Sequence, residues 1–222
     1  MGAQHSIGWR FYPAWLQAFE GAYGPILSRL RADDLPSSLE DLRQGRVDFV
    51  IAYYSAKAQT GCGQSPRTSC REPVPELSGH RPRQHGSGQQ TAHERKTLFS
   101  FDDGNVDLPF LRFGDRAAIG SRVEPLMASE GLNERLQTVY ENSMAGALRI
   151  RARDGAGVAW LPRSLVAPDL ASNALVLTGD PVWVVDLEIR LYRVRDHSNR
   201  LTRAIWSFLA VREAIPLIEG MQ

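Results

Sequence analysis

The sequence predicts an α/β fold built on parallel sheets. Short apolar runs, such as 48–54 and 157–161, alternate with segments whose apolar residues recur at helical spacing, which is typical of strand–helix–strand units. Residues 138–162 form one complete unit of this kind. The chain has 222 residues, of which 43% are hydrophobic and 23% charged, as in ordinary globular proteins. Its net charge of +1 gives no electrostatic reason to expect nucleic acid as a partner.

Residues 1–55 predict the order strand, helix, strand, helix, strand. The elements are the tail of a strand at 2–6, a helix over 8–23 capped by Ser6, a strand at 26–30, a short helix capped by Ser37 or Ser38, and a strand at 48–54. The helix over 8–23 is indicated by Trp9, Leu16 and Phe19, which recur at helical spacing.

Residues 56–98 lose this patterning, because Gly, Ser, Pro, Gln and Arg dominate. Such a composition buries too little apolar surface to offset the entropy of ordering, so we expect disorder here. A frame-shifted coding segment would explain the abrupt change, and translation of the other two frames tests that hypothesis. Two cysteines and two histidines in this segment have the spacing C-x7-C-x9-H-x4-H, which fits no zinc knuckle, so we expect no metal.

Structure is expected to resume near Leu108 and to continue through a second α/β region. The predicted elements are a strand at 110–113, a helix after Asp115 that ends at Gly131, a strand at 138–140, a helix ending at Asp154-Gly155, a strand at 157–161, a helix after Pro162, strands at 175–177, 182–185 and 187–192, and a final helix after 196–199.

The unit at 138–162 carries the clearest binding signal. Asn142 or Ser143 is a candidate helix cap, and the free N–H groups at Ser143 and Met144 would then point beyond the strand ends. A helix start of this kind suits an anionic or polar ligand. The alternative is an ordinary strand–helix–strand unit with a capped helix and no ligand.

Three motifs in order resemble the effector-binding domain of LysR-type transcriptional regulators. The family pattern L-P-x-x-L-x-x-F is matched by Tyr12-Pro13-Ala14-Trp15-Leu16 and Phe19 after Ser6. The pattern L-x-x-G-x-x-D-x-x-I is matched by Leu42, Gly45, Asp48 and Ile51. The pattern G-x-G-(I/V)-A-x-L-P is matched by Gly155, Gly157, Val158, Ala159, Leu161 and Pro162. The resemblance covers residues 2–55 and 108–215, about three quarters of the chain.

The resemblance implies two Rossmann-like subdomains of the periplasmic-binding-protein type 2 fold, with a small effector in the cleft between them. It places residues 1–55 and 186–222 in the first subdomain, 99–185 in the second, and the disordered segment 56–98 between them. Helix starts near Ser6 and Ser143 would face each other across the cleft. This agrees with the tendency of open α/β sheets to bind ligands at the carboxyl ends of their strands.

The expected effector-binding residues are His5, Ser6, Tyr53, Asn142, Ser143, Met144 and Trp160. The alternatives are a helix cap and a solvated histidine for Ser6 and His5, and core positions for Tyr53 and Trp160. Met144 has two alternatives, a core methionine or an oxidation-sensitive residue. The resemblance also implies a homodimer that forms through residues 9–20 and 116–130.

The first strand of the domain includes Met1, where the family has a winged helix-turn-helix before it. We therefore expect a truncated regulator that contacts DNA only through a missing N-terminal domain. The alternatives are a periplasmic-type solute-binding protein, for which we see no export signal, and a non-functional fragment. No catalytic motif such as G-x-S-x-G or H-E-x-x-H occurs, so we expect no enzyme and no cofactor. With no long apolar run and two cysteines, a cytoplasmic protein without membrane contact is expected.

Overall fold

The structure is a computed structural model that describes residues 1–53, 69–74, 76–79, 99, 107–178, 183–194 and 200–211. The chain divides into two compact units. Unit 1 comprises residues 1–72, 116–118 and 186–222, and unit 2 comprises residues 73–115 and 119–185. Among the helices in the described ranges, none is both long enough and apolar enough to cross a lipid bilayer.

In the described residues, unit 1 consists of a five-stranded sheet and three helices. Its elements are β1 (Gly2–Ala3), α1 (His5–Tyr23), β2 (Arg31–Ala32), α2 (Leu35–Arg43), β3 (Val50–Tyr53), β4 (Ser69–Val74), β10 (Val185–Tyr192) and α6 (Arg200–Val211). The strand order is β2-β1-β3-β10-β4. β1 pairs in parallel with β2 and β3, whereas β10 is antiparallel to β3.

The core of unit 1 is built from the apolar faces of its helices. On α1, four aromatic rings stack in sequence at helical spacing: Tyr12, Trp15, Phe19 and Tyr23. Phe208 of α6 meets Phe19 edge to face, with 5.3 Å between ring centroids. A second cluster joins α2 to the sheet through Leu39, Leu42 and Val50. This packing fixes the start of α1 beside the ends of β1 and β3.

Unit 2 repeats the same sheet plan. Its elements are β5 (Glu76–Gly79), β6 (Leu108–Phe113), α3 (Gly120–Ser129), a 3₁₀ turn (Leu132–Glu134), β7 (Leu136–Asn142), α4 (Ala145–Arg153), β8 (Val158–Trp160), α5 (Arg163–Ala171) and β9 (Leu175–Leu177). The strand order is β7-β6-β8-β5-β9. β6 is parallel to β7 and β8, and β5 runs antiparallel to β8 and β9. The predicted α/β class is confirmed.

Helix α4 is held by both apolar and ionic contacts. Leu148 is completely buried, and Gly155, with φ +75°, ends the helix as predicted. The carboxylate of Asp169 on α5 is buried and accepts two hydrogen bonds from the guanidinium of Arg149, with 3.0 Å between Nη2 and Oδ1. That hydrogen-bonded contact raises the pKa of Arg149, since it favours the charged form. The start of α4 is thereby positioned over the sheet.

Several predicted boundaries and caps need correction. No strand forms at 26–30, and β2 consists of the two residues that follow, Arg31–Ala32. The cap of α2 is Asp34, whose side chain accepts the N–H of Ser37, and the residue that caps α1 is Gln4, not Ser6. The runs 182–185 and 187–192 were expected as two strands, but β10 is one continuous strand over Val185–Tyr192.

The structure adds two strands in the segment 56–98 that was expected to be disordered. β4 extends the sheet of unit 1, and β5 lies between β8 and β9 in unit 2. The expectation is corrected for these strands, because pairing with strands from elsewhere in the chain supplies the hydrogen bonds that local composition does not predict. The rest of the segment lies outside the described residues.

A glycine-to-alanine pair tests the packing of unit 2. A Cβ at residue 157 would lie 2.4 Å from the carbonyl oxygen of Pro109, whereas a Cβ at residue 146 would meet nothing within 4 Å. We expect Gly157→Ala to lower the free energy of unfolding by about 1–3 kcal/mol, because the backbones of β6 and β8 must separate. Gly146→Ala, the matched control, should be neutral or stabilising. Chemical denaturation measures both, and equal stabilities would contradict the close contact.

Candidate functional site

Unit 1 brings together Gln4, His5, Ser6 and Tyr53, which we call the β1 cluster. Gln4 follows β1 directly and is buried. Its side-chain carbonyl accepts the backbone N–H of Tyr53 at 2.8 Å. The backbone N–H of Gln4 donates to the backbone carbonyl of Ile51 at 3.4 Å. These two contacts lock the end of β1 to the end of β3.

The other members of the β1 cluster differ in exposure. His5 is exposed and Ser6 half-buried, both in the first turn of α1. The Ser6 hydroxyl donates to the phenol oxygen of Tyr53 at 3.4 Å. The Tyr53 side chain is buried. The cluster therefore offers one exposed imidazole and a linked pair of hydroxyl groups at the carboxyl ends of β1 and β3.

Unit 2 brings together Asn142, Ser143 and Met144, which we call the β7 cluster. The Asn142 side-chain carbonyl accepts the N–H of Met144 at 2.8 Å, and its amide donates to the Tyr140 hydroxyl at 3.0 Å. The expectation of a free N–H at Met144 is therefore wrong. The residue that caps α4 is Met144 itself.

The unpaired donors of the β7 cluster lie one residue further along. Within the described part of the chain, the N–H groups of Ala145 and Gly146 have no acceptor, as is normal for a first helical turn. Ser143 is exposed, and its hydroxyl oxygen would lie 3.0 Å from a Cβ at Gly114. A larger residue at 114 would therefore require the Ser143 hydroxyl to shift. The side chain of Met144 is 44% exposed, which excludes the core interpretation for that residue.

Trp160 differs from Ser143 and Met144 because its side chain is buried. It is 1% exposed, its indole N–H donates to the carbonyl of Trp183 at 3.0 Å, and its ring meets Phe110 edge to face. One edge lines a narrow recess of unit 2, together with Val123 and Met127 of α3. The structure thus places Trp160 in the core, and an effector contact of this residue stays a prediction.

An ion-pair network adjoins the β7 cluster, and we call it the Arg112 network. The guanidinium of Arg112 contacts the carboxylates of Glu141 at 2.9 Å, Asp115 at 2.9 Å and Glu124 at 2.6 Å. The hydrogen bond to Glu124 is the largest of the effects that raise the pKa of Arg112, so the group is always charged. One cation is thus shared by three carboxylates.

The region that carries the β7 cluster matches a known protein family. Residues 104–213, about half of the chain, match the LysR substrate binding domain. The chain belongs to the LysR substrate-binding-domain family. The resemblance seen in the three sequence motifs is therefore confirmed, and the α/β units described above are those of a LysR-type effector-binding domain.

A curated relative and two solved structures support this assignment. The chain is 20% identical over 216 residues to the HTH domain-truncated transcriptional regulator QseD of Escherichia coli O157:H7, covering 97% of this chain and 81% of QseD. The apo regulatory domain of HypT from Salmonella typhimurium superposes with a TM-score of 0.71 at 18% identity, covering 94% of this chain and 91% of that domain. Vibrio fischeri DarR, solved in complex with DNA, gives 0.73 at 24% identity, covering 96% of this chain and 67% of DarR. At these identities the structures show that the fold is shared.

Two residues of this LysR domain, Gln4 and Arg112, were not predicted from the sequence as members of the site. Gln4 carries a usable signal, since it is a polar residue placed directly after a strand and before a helix. Arg112 is a charged residue inside the apolar run L-P-F-L-R-F. Asp115 lies only three residues after Arg112, so this ion pair could be predicted from the sequence. Glu124 and Glu141 are brought near Arg112 only by the fold.

Removal of the Gln4 side chain tests how the β1 cluster is held. We expect Gln4→Ala to lower the free energy of unfolding by about 1–3 kcal/mol, because the buried N–H of Tyr53 loses its acceptor. Gln137→Ala is the matched control, since Gln137 is exposed on β7, and its effect should stay within about 0.5 kcal/mol. Urea denaturation measures both variants. A Gln4→Ala variant as stable as the control would contradict the bridging role.

Proposed function

We propose that this LysR domain binds a small polar or anionic effector through the β1 and β7 clusters. The observation that carries the proposal is the β7 cluster, where an exposed hydroxyl at Ser143 adjoins the unpaired N–H groups of Ala145 and Gly146. A helix start supplies N–H donors and a partial positive charge, which suit carboxylates and other anions.

The β1 cluster offers a complementary set of groups. His5 and Ser6 lie in the first turn of α1, where the helix again presents its positive end. Because the carbonyl of Gln4 is used by Tyr53, the amide nitrogen of Gln4 is the group left to act as a donor. We propose that His5, Ser6 and Tyr53 contact the same effector as Asn142, Ser143 and Met144, with Trp160 supporting the latter set from the core.

Two solved structures bear on the ligands that related domains accept. The HypT regulatory domain has also been solved with a bromide ion bound, so a domain of this fold accepts a small anion. DarR was solved with DNA. For the present chain we propose that any DNA contact belongs to a separate DNA-binding domain, because a net charge of +1 gives no electrostatic reason to expect nucleic acid as a partner.

We further propose that the protein acts as a homodimer through residues 9–20 and 116–130. Support comes from Trp9, which is 76% exposed on α1, because a large aromatic side chain in water is typical of a surface that a partner covers.

A thermal-shift screen tests the proposed binding. The panel contains small monocarboxylates, dicarboxylates, hydroxy acids and aromatic acids. We expect at least one to raise the unfolding midpoint by several degrees, since a ligand at about 100 times its Kd adds roughly 2.7 kcal/mol to the stability of the folded state.

Variants then locate the binding surface for each compound that stabilises the protein. Ser6→Ala and Ser143→Ala should each weaken binding about three- to tenfold, as expected for one lost hydrogen bond. Ser172→Ala, at the exposed end of α5, is the matched control and should bind normally. A screen without any stabilising compound, or binding unaffected by both substitutions, would contradict the proposal.

A further inference from the structure

Arg112 joins three separate parts of unit 2. It lies opposite Glu141 in the register of β6 and β7, and its Nη1 contacts that carboxylate. Its Nη2 contacts Glu124 on α3 and Asp115 in the connection between β6 and α3. A single planar guanidinium therefore links an edge strand, a helix and the loop that precedes the helix.

The end of β7 has little else to hold it. β7 is the edge strand of its sheet, and the residues 137–139 in its middle are exposed. Its carboxyl end is also held by the ladder with β6, in which Phe113 lies opposite Asn142, and by the guanidinium of Arg151 on α4, which lies 5.7 Å from the ring centroid of Tyr140. Glu141 immediately precedes the β7 cluster in the chain. A displacement of Glu141 therefore shifts the backbone of Asn142 and Ser143.

The positive charge of Arg112 offsets the repulsion among the three carboxylates of the network. Without the guanidinium, three carboxylates would remain close together and would repel one another. Lysine is not an adequate replacement, because an ammonium group is a compact charge that lacks the planar fork of donors.

We propose that Arg112 is a positioning residue that fixes the β7 cluster and couples it to α3. Displacement of Ser143 moves Glu141, and Arg112 transmits that movement to Glu124 on α3. The link to a bound effector rests on the proposed function, whereas the coupling between the β7 cluster and α3 is a property of the protein alone.

Hydrogen exchange on the full chain without ligand tests the coupling. In Arg112→Gln, we expect the hydrogen-bonded amides of residues 144, 147–148 and 122–123 to exchange about fivefold faster, because each exposed ion pair contributes weakly and three are lost together. Amides of β1 and β3 in unit 1 should be unchanged. Arg163→Gln is the matched control, since Arg163 is exposed on α5, outside the Arg112 network and the proposed dimer surface, and it should leave exchange at the native rate.

A second variant separates coupling from general weakening. Glu124→Gln removes only the carboxylate charge on α3, yet we expect exchange at the amides of residues 144 and 147–148 to rise about twofold, because Arg112 is then free to leave Glu141. This variant also serves if Arg112→Gln does not fold. Exchange that changes only within α3, or that rises equally across all of unit 2, would overturn the proposal.

Ligand titration then separates this inference from the proposed function. With an acid identified by the thermal-shift screen, Arg112→Lys should bind at least threefold more weakly than the native protein. If no acid binds the native protein, the proposed function fails while the exchange result still decides the coupling. Native-like binding by Arg112→Lys would overturn the role of Arg112 in positioning the cluster for an effector.

Discussion

Parallel pairing of adjacent strands is the constraint on which both clusters depend. In a parallel pair the carboxyl ends lie at the same edge, so residues that follow the strands become neighbours whatever their separation in sequence. In unit 2 the register sets Phe113 opposite Asn142, and Gly114 then passes beside Ser143. In unit 1 the pairing of β1 with β3 sets Gln4 beside Tyr53. The polar groups proposed to bind an effector are consequences of these registers.

The two units use the same strand order but stabilise their strand ends differently. In unit 1 a buried neutral amide joins the ends, because the side chain of Gln4 can satisfy a backbone donor without introducing a charge. In unit 2 a partly exposed arginine, which contacts three carboxylates, joins the end of β6 to the end of β7. Buried hydrogen bonds resist displacement, whereas exposed ion pairs are weak and rearrange readily. Of the two arrangements, the ionic one is therefore the easier to rearrange.

Much of the fold was predictable from local pattern. The helices α1 and α4, the strand β8 and the glycine that ends α4 follow from helical spacing, a short apolar run and positive φ at Gly155. The strands β4 and β5 were not predictable, because their partners lie far away in the sequence and their own composition is polar. The cap at Asp34 was assigned to later serines, since several residues of the same chemistry adjoin it.

The candidate site was predicted less completely than the fold. Adjacent residues such as Asn142 and Ser143 were identified, because a polar pair between a strand and a helix is a local signal. The buried state of Tyr53 and Trp160 depends on packing by residues elsewhere, and the Arg112 network depends on strand register. Neither is encoded in a short motif.

The central claim is that one small molecule contacts both clusters. The most direct measurement is a ¹H–¹⁵N NMR titration of the labelled protein with an acid that stabilises it. The account predicts saturable shifts concentrated at the amides of residues 4–6, 53 and 142–146, all with the same Kd. Saturable shifts confined to other residues, or different Kd values at the two clusters, would contradict it.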